Sequence, residues 1–297
     1  MKNENRVMAY LALGAICFIW GTTYTAIKYS VQTFPPFYLV GMRQTLAGLV
    51  LLVFCFLSGR FMGLSSRYVG IQAVIGVITI TGGNGFITWA MQFVSSGLSA
   101  VIGALTPLMV VLINWIWLRN RGGTDWRVWL GVLLGFFGLA IIFSEGWTDF
   151  SNPKYVWGIA GCFASCVTWS LGTVMAKVFN SRQVSTIMNA GLQIFFGGLA
   201  GFLIGFLRGE KFLGVPDNMT WCAIGYLGLV GSALAFSLYM FVLNNLSAAV
   251  ASLYTYINPV VAILLGWLFL GEHMGWVEAI GMVLTIFGVW LANRGGG

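Results

Sequence analysis

The chain has 297 residues, of which 59% are hydrophobic and 8% charged, and its formal net charge is +7. Soluble domains carry roughly 25% charged residues, so this composition excludes a water-soluble fold, which could not hide so much apolar surface. The 15 Lys and Arg residues are scattered through short loops rather than gathered in a patch, which excludes nucleic-acid binding.

Ten apolar runs, each near the roughly 20 residues that cross a hydrocarbon core, follow in chain order. The first covers 8–28 and holds WGTTYTAIK, in which Trp20, Tyr24 and Lys28 share one helical face by four-residue spacing. Its basic start resembles a signal peptide, but the run is too long and no small-residue cleavage site follows, so it reads as an uncleaved span. The second, 36–58, follows FPPF and places Arg43 a few residues inside the membrane. The third, 69–92, carries a polar stripe of Asn84, Thr88 and Gln92. The fourth, 97–118, contains Pro107 and is expected to kink there, because proline lacks a backbone donor. The fifth, 128–146, holds Gly131 and Gly138.

The sixth, 155–178, holds WSLGTVMAK, with Trp169, Thr173 and Lys177 on one face. The seventh, 185–207, has Asn189 and Gln193, which suit helix-to-helix hydrogen bonds. The eighth covers 220–243. The ninth, 247–270, has Tyr254, Asn258 and a second expected kink at Pro259. The tenth, 276–293, holds Gly281 and Gly288.

Orientation follows from the basic residues near span ends. With the N-terminus inside, the cytoplasmic side collects Lys2, Arg6, Arg60, Arg67, Arg119, Arg121, Arg127, Lys177, Arg182 and Arg294. The opposite side keeps Lys28, Lys154, Arg208 and Lys211, with Arg43 in the second span. Both termini are therefore expected in the cytoplasm.

The halves match at offsets near 150 residues: WGTTYTAIK with WSLGTVMAK, PLMVVLINW from Pro107 with PVVAILLGW from Pro259, and Gly131 and Gly138 with Gly281 and Gly288. Each half, 1–147 and 148–297, contains five spans, an odd number, so the second must enter the membrane the other way up. The expected fold is an all-α integral membrane protein of ten transmembrane helices, arranged as two inverted five-helix repeats around a central cavity. Inverted repeats of this kind are typical of transporters that work by alternating access.

These same residues resemble the EamA-type family of the drug/metabolite transporter superfamily. WGTTYTAIK, then Arg43, the Pro107 span and the run PVVAILLGWLFLGEH carry the resemblance, which covers nearly the whole chain in two copies. The second copy closes its fourth helix with Leu270-Gly271-Glu272, whereas the first reads Leu118-Arg119-Asn120-Arg121. The resemblance implies a ten-helix fold in a bacterial inner membrane, a central cavity, and export of amino acids or other small metabolites.

Trp20 and Trp169 lie near the bilayer midplane, away from the interface where Trp usually anchors. They either line a central aromatic pocket with Lys28 and Lys177 at its opposite mouths, or pack between helices while the lysines snorkel. Asn84, Thr88, Thr173, Tyr254 and Asn258 are the candidate polar and aromatic contacts to a small-molecule substrate. Arg43 would bind a carboxylate or serve as a structural charge; Pro107 and Pro259 would hinge or merely shape the bundle.

All eight acidic residues and the single histidine, His273, lie in loops or near span ends. No nucleophile–base pair or metal-ligand cluster sits at depth, so an enzyme, a metal site and a cofactor are not expected. The five cysteines fit packing rather than disulfides. Without a central carboxylate, the chain reads as a facilitator or exchanger, with coupling at Glu272 or Glu278 as the alternative. An aromatic, nearly neutral pocket suits amino acids, including aromatic or other apolar ones. A nucleotide-sugar or phosphosugar exchanger would need more buried cations, and a non-transporting membrane assembly protein is the rival of another class.

Overall fold

The computed structural model describes residues 2–59, 63–117, 126–145, 151–181, 183–246, 254–272 and 275–295, which are helical or in short connections. The segment Leu118–Arg121 and His273 lie outside the described residues.

Helix α1 spans Lys2–Ser30 and α2 spans Pro36–Leu57. Pro36 sits in the first turn of α2, where no N–H is needed. Helix α3, Ser66–Gly76, widens into a π-helical stretch at Val77–Asn84 before α4, Gly85–Ala90. Helices α5, Ser96–Gly103, and α6, Thr106–Trp117, occupy the fourth predicted span. That span is interrupted by a turn at 104–105 rather than kinked within one helix. Pro107 thereby falls in the first turn of α6, where its missing donor costs little.

Helix α7 is Trp126–Glu145, α8 is Pro153–Phe179 and α9 is Thr186–Leu207. Helix α10, Asn218–Tyr226, runs through a second π-helical stretch, Leu227–Leu234, into α11, Ala235–Asn245. Helix α12 is Tyr254–Leu270, with Pro259 in its interior, and α13 is Trp276–Gly295. The two π stretches begin 150 residues apart, as do the positive-φ glycines Gly59 and Gly209 that follow α2 and α9.

Among the described residues six segments are long and apolar enough to cross a membrane: Arg6–Ser30, Pro36–Leu57, Ser66–Ala90, Pro153–Phe179, Thr186–Leu207 and Asn218–Tyr239. Four shorter apolar helices, Ser96–Val110, Trp129–Ile142, Tyr254–Leu270 and Ala279–Leu291, accompany them. The periphery is as apolar as the interior: Leu11, Phe56, Leu133, Phe206 and Phe269 are each about 70% exposed. Lipid is the solvent that accepts such a surface, and the helices satisfy their own backbone groups. The chain is an all-α integral membrane protein.

Glycine decides which helices touch. Helix α2 lies along α9, and α7 along α13. A Cβ on Gly48 would meet the Phe195 backbone at 2.6 Å, and one on Gly138 would lie 2.6 Å from both Gly281 O and Thr285 N. Gly288 faces Gly131 O at 2.6 Å in the same way. The seven-residue spacing of Gly131 and Gly138, and of Gly281 and Gly288, puts each pair on one face. Small residues on such faces let backbones approach and gain dispersion contact, which drives association when both solvent and protein are apolar.

Candidate substrate cavity

A cavity of about 180 Å³ lies between α1, α2, the two π stretches, α5, α8 and α12. Its aromatic wall is built by α1 and α12 and backed by Tyr239 of α11. The Trp20 ring is 4.6 Å from Tyr254 and 5.3 Å from Tyr239 between centroids, and the Tyr254 contact is edge-to-face. Such pairs contribute about 0.5–1.5 kcal/mol each beyond their buried area, so the wall is firmly placed.

The Trp20 indole donates to Gly231 O at 3.1 Å, within the second π stretch. Trp169, on α8, packs on Gly83 of the first π stretch, where an added Cβ would lie 2.8 Å from its ring. Each half therefore presents a tryptophan to a glycine in the π stretch of the other. A π turn breaks the regular i→i−4 ladder and leaves carbonyls to be satisfied by other groups. Gly83 O accepts from Ser165 Oγ at 2.7 Å, and Gly231 O from Trp20.

Seven of the residues singled out in the sequence line this cavity: Trp20, Tyr24, Arg43 and Asn84 in the first half, Trp169, Tyr254 and Asn258 in the second. Tyr24 fits because Gly103 offers no side chain, and a Cβ there would be 2.6 Å from the tyrosine hydroxyl. Asn258, with its amide turned to satisfy both donors, gives hydrogen bonds to Tyr254 O (2.9 Å) and Cys17 O (3.0 Å), tying α12 to α1. Arg43 is 3% exposed and donates from Nη2 to Asn84 Oδ1 at 2.8 Å.

The other candidates lie elsewhere. Thr88 is fully buried beside the cavity lining, with no partner for its hydroxyl. Thr173 is exposed and bonds back to Trp169 O at 2.8 Å, the ordinary habit of a helical threonine. Pro107 and Pro259 are outside the lining. Gln44, Thr23, Ser165 and Ser232 do line it. Nothing in their spacing sets them apart; the GG and GS pairs inside otherwise apolar spans are the only signal nearby.

The lysines part company. Lys28 Nζ donates to Met91 O (2.7 Å) and Val94 O (2.8 Å), closing the last turn of α4. Close by, Glu272 accepts from Ser96 N (2.8 Å), Ser96 Oγ (2.7 Å) and Gly97 N (3.4 Å), capping α5. Gly271, at φ 65°, turns the chain so that Glu272 N bonds Gly266 O at 3.1 Å and its side chain folds back toward α5. The Leu270-Gly271-Glu272 run is thus a helix stop that delivers a carboxylate to the N-terminus of a neighbouring helix, where the dipole favours it. Lys177 is exposed at the opposite end.

Polar side chains at that opposite end join helices. Tyr68 donates to Asn189 Oδ1 (2.8 Å), and Gln193 donates to Gln72 Oε1 (2.7 Å). At the Lys28 end, Glu210 Oε2 accepts from Phe37 N at 2.9 Å and sits 3.8 Å from Arg208. Burial pushes the Glu210 carboxyl above the usual range despite those contacts. Among the described residues no group of three His, Cys, Asp or Glu could hold a metal.

A cavity between apolar helices, lined by aromatic rings and a few polar groups, is the form of a small-molecule site. Comparison with known proteins gives it a lineage. The EamA-like transporter family matches twice, over residues 7–144 and 156–294. The inner membrane transporter YedA of Escherichia coli (strain K12) is 32% identical, covering 99% of this chain and 94% of that protein. The transporter YoaV of Bacillus subtilis (strain 168) is 24% identical, covering 96% of each. One crystal structure shares the fold, with a TM-score of 0.66 at 21% identity over 98% of both chains. With matches running nearly end to end in two copies, the chain belongs to the EamA-like transporter family, and its work is to move small molecules through the membrane, not to transform them.

Proposed function

We propose that the protein is a secondary transporter of amino acids, including aromatic and other apolar ones, working by alternating access. Residues 1–147 and 148–297 form two five-span units of opposite orientation, ten spans in all, with both termini cytoplasmic in a bacterial inner membrane. One observation carries the reading: a cavity walled by matched tryptophans, each meeting a glycine of the other half, Trp20 by a hydrogen bond to Gly231 O and Trp169 by packing on Gly83. A site shared by two units in this way changes its opening when they tilt. The 150-residue offset between the π stretches supports the repeat, and the two family matches support it further. A phosphosugar or nucleotide-sugar exchanger is less well supported, because among the described residues Arg43 is the only cation lining the cavity.

Purified protein in liposomes loaded with labelled leucine, threonine or phenylalanine tests the proposal. Protein-dependent counterflow of at least one is expected, and no flux of any amino acid overturns it. Trp169→Ala should lower that flux by about tenfold, corresponding to about 1.4 kcal/mol of lost aromatic contact, while the thermal midpoint in detergent stays near the parent value. Trp169→Phe should recover most of the activity. Unchanged flux in Trp169→Ala would make the residue mere packing.

A further inference from the structure

Among the described residues, Arg43 is a charge without a counter-charge in reach. The second span carries it into the apolar interior, where it is 3% exposed. Among the described residues no carboxylate lies within 4 Å of it; the one ion pair found there, Arg208–Glu210, is at the Lys28 end. Its hydrogen bond to Asn84 Oδ1 uses one of five guanidinium donors, and its Nε is buried with no partner. Arginine does not shed its proton to escape this cost, and a buried unpaired cation is expensive in a membrane. Arg43 and Asn84 both line the cavity, so the unmet demand for an anion opens onto the space where a substrate would sit.

Among the described residues the rest of the lining offers a cation no counter-charge. No Asp or Glu is among the lining residues. Three carbonyls of this region are taken: Gly231 O by Trp20, Gly83 O by Ser165, and Thr106 O, at the start of α6, by Ser170 at 3.1 Å. What remains for the apolar part of a ligand is aromatic surface from Trp20, Tyr24, Tyr254 and Trp169.

We infer that Arg43, steadied by Asn84, is the specificity-determining residue of the cavity and that it selects substrates by a single carboxylate. This rests on the transport reading above and sharpens it: the carboxylate is required and the α-amino group is dispensable. One positive charge matches one negative charge, so dianions such as sugar phosphates are disfavoured. Planar guanidinium meets planar carboxylate through two parallel hydrogen bonds, which a lysine cannot reproduce.

The test is counterflow in proteoliposomes with the full chain, using L-phenylalanine, 3-phenyllactate, phenylalaninamide and phenethylamine as competing probes, and the leucine series in parallel. The two acids should compete at least about tenfold better than the amide or the amine. Arg43→Gln should lose most of that preference, and Arg43→Lys should keep only part of it. If the amide or amine passes as readily as the acids, the carboxylate requirement is overturned while transport stands. An acid-to-amide ratio unchanged in a folded Arg43→Gln overturns the role of Arg43 in particular. No flux of any acid, amide or amine overturns the transport reading itself. Should Arg43→Gln fail to fold, the parent's own acid-to-amide ratio decides.

Discussion

Gly138→Leu should cost the fold about 3 kcal/mol or more, by forcing α7 and α13 apart. The expectation comes from where a side chain would go. A Cβ at 138 lies 2.6 Å from Gly281 O and from Thr285 N, and both are backbone atoms that cannot turn aside. Thr285 is fully buried in this contact, and its hydroxyl donates to Gly281 O at 2.8 Å, so the site has no slack to absorb added volume. Overpacking a close-packed interior typically costs 1–3 kcal/mol when side chains can rearrange, and a backbone clash leaves less room for that. Gly14 supplies the control: it also sits within a helix, but a Cβ there meets nothing within 4 Å. Gly14→Leu should shift the detergent thermal midpoint hardly at all, while Gly138→Leu should lower it by many degrees. Equal midpoints for the two would mean the helices do not approach as described.

Glu272→Ala should loosen the Lys28 end by about 2 kcal/mol. The carboxylate satisfies two backbone N–H groups of α5 and the Ser96 hydroxyl, and lies near enough to Lys28 for their charges to interact. Its loss leaves the Ser96 and Gly97 N–H groups without that acceptor, although Ser95 Oγ still accepts from Leu98 N, and takes the neighbouring negative charge from Lys28. Amide hydrogen exchange at Ser96 and Gly97 should accelerate by about thirtyfold, the factor corresponding to that free energy. Glu272→Gln keeps an acceptor but not the charge, so it should fall between the two. Gly266→Ala attacks the same node from beneath, because its Cβ would stand 2.7 Å from Ser96 Oγ and closer still to the carboxylate. Unaltered exchange at Ser96 in Glu272→Ala would show that the cap carries no weight.

Several features of the site were legible because they depend on local rules. The four-residue spacing of Trp20 and Tyr24 placed both on one helical face, and both line the cavity. Asn189 and Gln193 were read as helix-to-helix donors and acceptors, and they bond Tyr68 and Gln72. Other features depend on partners from distant parts of the chain. Thr88 shares a stripe with Asn84 by spacing, yet the widened π turn ends at Asn84, and only Asn84 lines the cavity. Thr173 lies one turn from Trp169, but its face is exposed. Lys28 and Lys177 occupy equivalent places in the two matched motifs, yet Lys28 alone is drawn to the carbonyls of α4 beside a carboxylate. The residue matching Glu272 in the first half is a different one, so the equivalence of the lysines stops at the helix end.

By itself, then, the sequence determined that this chain lives in lipid and where most of its helices run. Hydrophobicity and helical periodicity act within about 20 residues and need no partner to be read. Only the tertiary structure decided that Trp20 bonds to Gly231 O, that Trp169 packs on Gly83, and that Arg43 faces a cavity with no carboxylate among its described lining residues. Those facts depend on which backbones approach closely enough to exclude a side chain, and in an apolar solvent that is set by the pairing of glycine faces far apart in the chain.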